Sequence, residues 1–189
     1  MLAPGHLAAS YLASKIFLKI IKPELNNSEI DNLILWGIIF GVAPDLDLSY
    51  NTFHPKKKTV NLSDCQDNES HRRHFTHAPL VWLLASIFIF IWGLITGSSF
   101  ILFLSLLIWL CSWLHFGLDS LEDGIRWLWP FNKKFFRIKK ISIIAENKKS
   151  AFLKDLSRFL KNYTKKFKLT FYLEIVLVLA AIIIYFLKI

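Results

Sequence analysis

The chain has 189 residues, 54% of them hydrophobic, and its mean hydropathy is +0.42. That excess over a soluble domain implies a single membrane domain, 1–189, built from long apolar helices. The formal charge of +9 would suit a nucleic acid, but no recognition motif accompanies it and the basic residues gather beside apolar runs, so no nucleic-acid partner is expected. Cys65 lies in a polar stretch and Cys111 in an apolar one, which excludes a disulfide framework and a cysteine-based zinc site. With no basic region at the N-terminus, a cleaved signal peptide is not expected either.

Five apolar stretches follow one another. The first runs from Gly5 to Ile21, with Lys15 and Lys19 one turn apart. It is amphipathic, so it either enters the bundle or lies on the membrane surface. The second, Ile30 to Ala43, has 14 residues, about 21 Å of helix, and is short for a span. It stops at Pro44, and Pro23, Asn26 and Asn27 separate it from the first. The third, Ala78 to Ile95, carries no charge, and Pro79 suits its first turn with Thr76 or His77 near the N-cap. Gly97, Ser98 and Ser99 turn the chain into the fourth stretch, which runs to Leu118. The fifth runs from Phe171 to Leu187. The third, fourth and fifth are long enough to cross a bilayer. The expected fold is therefore all-α, a membrane bundle of four to five transmembrane helices.

Basic residues set the expected orientation. The segment from Lys133 to Lys168 holds 13 of the 23 lysines and arginines, against two acids, Glu146 and Asp155. Lys56, Lys57, Lys58, Arg72 and Arg73 add more between the second and third stretches, and the Gly97 turn has none. By the positive-inside rule, the 45–77 loop and the 120–170 segment face the cytoplasm. Asp45, Asp47, His71, His74, His77, His115, Asp119 and His6 then gather at the inner ends of helices far apart in sequence.

Those residues suit a divalent cation. Asp45 and Asp47, just past an apolar helix, offer hard oxygen ligands; a helix cap or turn is the plain alternative. In the run His71-Arg72-Arg73-His74-Phe75-Thr76-His77, imidazoles offer nitrogen ligands. Arg72 and Arg73 suit an anionic lipid phosphate, or simply mark the cytoplasmic side. His115 and Asp119, four apart on a helix, face the same way. Either both hold metal or the aspartate orients the histidine. His54 reads as a loop residue, and Glu122, Asp123 and Glu174 are further acids without a ranked role.

At these residues the chain resembles the YdjM-type family, described as LexA-binding, inner-membrane-associated, metal-dependent hydrolases. The matching elements, in order, are Gly5-His6-Leu7, Pro44-Asp45-Leu46-Asp47, a His-Arg element leading to Thr76-His77, and His115-x-x-x-Asp119-Ser120-Leu121. Gly124-Ile125-Arg126 and Leu128-Trp129-Pro130-Phe131 follow. The matching elements lie within residues 1–140; the basic segment 131–169 and the terminal helix 171–187 carry no further motif. One departure stands out: counting back from Thr76 puts Arg72 where the family has histidine, so His71 or His74 takes that place. The resemblance implies a metal-dependent hydrolase of the bacterial inner membrane, multi-pass, and the mixed histidine and carboxylate donors suit zinc or manganese as cofactor. Asp45, Asp47 and Asp119 are then the candidate catalytic acids. A bound divalent ion lowers the pKa of water enough for hydrolysis near neutral pH. A site at headgroup level makes membrane lipids the expected partners and a lipid ester or phosphoester an expected substrate. The alternative is a non-catalytic metal-binding or structural protein; a transporter is disfavoured by the absence of paired repeats.

Overall fold

A computed structural model describes residues 2–46, 75–121, 124–132, 134, 136, 138 and 168–187. Within them the chain is an all-α bundle of five helices: α1 (Ala3–Ile21), α2 (Asn27–Val42), α3 (Pro79–Thr96), α4 (Ser99–Asp119) and α5 (Lys168–Leu187). Asp47, His71, Arg72, Arg73 and His74 lie outside the described residues.

The helix ends follow local chemistry. Pro4 lies in the first turn of α1, and the helix closes at Lys22, whose backbone turns left-handed. The second helix starts three residues before the apolar run because Asn26 and Glu29 form a capping box. Asn26 Oδ1 accepts from Glu29 N at 2.9 Å, and Glu29 Oε2 accepts from Asn26 N at 3.0 Å. At the other end, Pro44 turns the chain into a 3₁₀ turn, Ala43–Asp45. A second 3₁₀ turn, Phe75–His77, leads into α3; Ala78 is its N-cap and Pro79 its first residue. Gly97, at φ 65°, provides the left-handed residue that ends α3. Beyond α4, Gly124 at φ 93° lets its N–H return to the Asp119 carbonyl at 3.0 Å. The chain then folds back, and Trp127 Nε1 donates to Ser120 Oγ at 2.8 Å.

Among the described residues, three helices are long and apolar enough to cross a membrane: α3, α4 and residues Leu169–Leu187 of α5. They differ in role. In α4, 39% of the span is buried, against 17% in α3 and 11% in α5. The fourth helix is thus the centre of the bundle, touching α1, α2 and α3, while α3 and α5 present Phe88, Ile95, Val176 and Phe186 outward. Such a continuous apolar exterior fits lipid rather than water. The first helix does not lie across the end of the bundle. It packs lengthwise against α2, α4 and α5.

Small side chains allow that packing. Ser10 and Ser14 of α1 face Gly41 and Gly37 of α2, each pair one turn apart, with Cys111 of α4 beside them. A Cβ on Gly41 would overlap Ser10 Oγ, and one on Gly37 would overlap Ser14 Oγ. Small residues spaced four apart let membrane helices approach until their backbones nearly touch. This seam brings three helix ends within reach of one another.

Candidate metal centre

The start of α1, the end of α2, the start of α3 and the end of α4 meet at one end of the bundle. Asp45, His77, His115 and Asp119 each turn a ligand atom into this meeting point, and the four atoms lie within 4.8 Å of one another. His77 Nε2 is 3.2 Å from Asp45 Oδ1, His115 Nε2 is 3.6 Å from the same oxygen, and His115 Nε2 is 3.7 Å from Asp119 Oδ2. A tetrahedral shell of N and O ligands about 2.0–2.1 Å from zinc sets its members about 3.3 Å apart. The donor set and its spacing therefore fit one divalent ion.

The histidine on α4 sharpens the point. His115 Nδ1 is 2.9 Å from the Gly41 carbonyl, which only accepts, so Nδ1 carries the proton. In the neutral ring, Nε2 then turns a lone pair toward two carboxylate oxygens. Lone pair and carboxylates all call for a cation between them. A metal-bound histidine whose other nitrogen donates to a carbonyl is the usual arrangement for fixing the ring.

His6 sits one layer back. Its Nε2 is 3.2 Å from Asp119 Oδ1, and its ring stacks on that of His115, with centroids 3.9 Å apart. It is brought to the site through Asp119, outside the group of four. His6, His77, His115 and Asp119 are fully buried, whereas the Asp45 side chain keeps 20% of its surface exposed. Burial works to raise the Asp45 carboxyl, but the hydrogen-bonding contact with His77 is among the influences that hold it below the usual value. The open edge of the site is thus at Asp45.

Two contributors escape motif reading. Gly41 supplies both the carbonyl that orients His115 and the space for α1; the signal available was the Gly37-x-x-x-Gly41 spacing. The other is Glu174, whose Oε1 accepts from Gly5 N at 3.2 Å. The signal there was a lone acid in an apolar span.

No curated protein and no solved structure matches the chain. A family model, that of the YdjM inner membrane protein, matches residues 1–189. With the match covering the full length, the apolar bundle and the His–Asp centre at its end are features of a chain that belongs to the YdjM inner membrane protein family.

Proposed function

We propose that this is a multi-pass, metal-dependent hydrolase of the bacterial inner membrane, with its site at the cytoplasmic headgroup level and a lipid ester or phosphoester as substrate. The observation that carries the metal reading is the lone pair of His115 Nε2 aimed at Asp45 and Asp119. Asp45, His77, His115 and Asp119 would hold the ion, with zinc or manganese suited to the mixed donors. When bound, the ion supplies Lewis acidity and acidified water. The Asp45 oxygen not turned to the ion, at the open edge, would take and return the proton, and His6 would steady Asp119. Arg72 and Arg73, close before His77 in sequence, suit an anionic headgroup. A second reading has its own support: four protein donors complete a tetrahedral shell, as in closed structural zinc sites.

Product analysis separates the two. Purified protein incubated with mixed bacterial lipids and metal is expected to yield new lipid products by mass spectrometry. Asp45→Asn, which keeps the shape but removes a charged ligand, should lose them. Identical product patterns from the two proteins, or no products in any lipid class, would favour the structural reading.

Orientation is tested by labelling in a background lacking Cys65 and Cys111. A cysteine at Ser99, beside the Gly97 turn, should react with an impermeant thiol reagent added to intact cells. One at Phe131, exposed at the site end, should react only after lysis. The reverse pattern would move the site to the outer face.

A further inference from the structure

The last helix carries one carboxylic acid, Glu174, in a segment of mean hydropathy 2.4. An acid inside such a span is costly and calls for a partner. Thr170 and Glu174, one turn apart, are both buried, so this face of α5 is turned inward. One partner is the first turn of α1. That helix begins with no side-chain cap at Leu2 and no acid in its first turn, although the opening N–H groups of a helix lack intrahelical acceptors. Gly5 N–H makes a short bond to the Leu2 carbonyl at 3.1 Å and is shared with Glu174 Oε1 at 3.2 Å. The cap of α1 thus comes from 169 residues away. The residue after Gly5 is His6, which holds Asp119 Oδ1 and stacks on His115.

We propose that Glu174 is a positioning residue: by fixing the first turn of α1, it holds His6 against Asp119 and so sets the geometry of the metal centre. The proposal rests on the metal reading of that centre and makes α5 part of the site rather than a membrane anchor alone. The bond from Gly5 N–H needs a side-chain oxygen at this place as its acceptor. Glutamine therefore serves in its place and leucine does not.

The test uses full-length protein in detergent, with ¹⁵N-labelled histidine and the His6 signals assigned by their loss in His6→Gln. Glu174→Leu is expected to shift the His6 ring signals, to change the visible absorption bands of added cobalt(II) and to weaken cobalt binding about tenfold, the scale of an orienting partner. Glu174→Gln should restore all three. Glu174→Met stands in if the leucine variant does not fold. His6 signals and cobalt bands like those of wild type in a folded Glu174→Leu protein would overturn the proposal, as would shifted His6 signals with unchanged cobalt bands. If wild type binds no cobalt, the metal reading fails, and the His6 signals alone decide whether Glu174 positions that ring.

Discussion

Replacing Asp119 by alanine is expected to weaken divalent-metal binding by at least about 100-fold, beyond what loss of an outer partner alone costs. Asp119 does two jobs at once. Its Oδ2 faces His115 Nε2 at 3.7 Å within the ligand group, and its Oδ1 is the partner of His6 Nε2 at 3.2 Å. Alanine removes a ligand and leaves the buried His6 ring without the acceptor that orients it. Asp119→Asn should fall between: it keeps an oxygen for one neighbour but supplies no negative charge to the other. Isothermal titration with zinc checks the series. Wild-type affinity in Asp119→Ala would remove this residue from the centre.

Gly41→Leu should lower stability and metal affinity together. The α1–α2 seam has no room at Gly41, because even a Cβ would overlap the Ser10 hydroxyl. Forcing extra atoms into a packed interior costs about 1–3 kcal/mol. The displacement also acts on chemistry. Gly41 O accepts from His115 Nδ1 at 2.9 Å, so separating the helices moves the carbonyl that orients the His115 ring. Thermal unfolding in detergent should show a lower midpoint, and titration should show weaker metal binding. Gly41→Ala should do the same to a smaller degree. Combining it with Ser10→Gly should recover part of the loss, since Ser10 supplies the clashing atoms. Independent effects of the two substitutions would mean the seam does not set the site.

How much of this is legible in the sequence depends on the range of the interaction. The third, fourth and fifth apolar stretches could be read directly, because a bilayer demands a long apolar run whatever the tertiary fold. The convergence of Asp45, His77, His115 and Asp119 was also legible, since alternating helices return their ends to the same side and all four sit at ends. The start of α2 was obscured because its first turn is polar; the signal there was the Asn26 to Glu29 spacing rather than hydropathy. The place of α1 depended on the small faces of Ser10 and Ser14, whose role is visible only once Gly37 and Gly41 are set against them. His6 on Asp119 and Glu174 on Gly5 join residues 113 and 169 apart, and no local periodicity encodes such pairs. That His6 falls outside the group of four was hidden for the same reason: its contact with the group runs through Asp119.

The His–Asp group at the end of the bundle is expected to hold a divalent ion. Elemental analysis of purified protein tests it most directly, after reconstitution with zinc or manganese and removal of loose metal. Wild type is expected to retain about one ion per chain, and His77→Ala/His115→Ala less than about a tenth of that, because half the shell is gone. Metal content unchanged in the double variant, or wild type that retains none, would contradict the assignment.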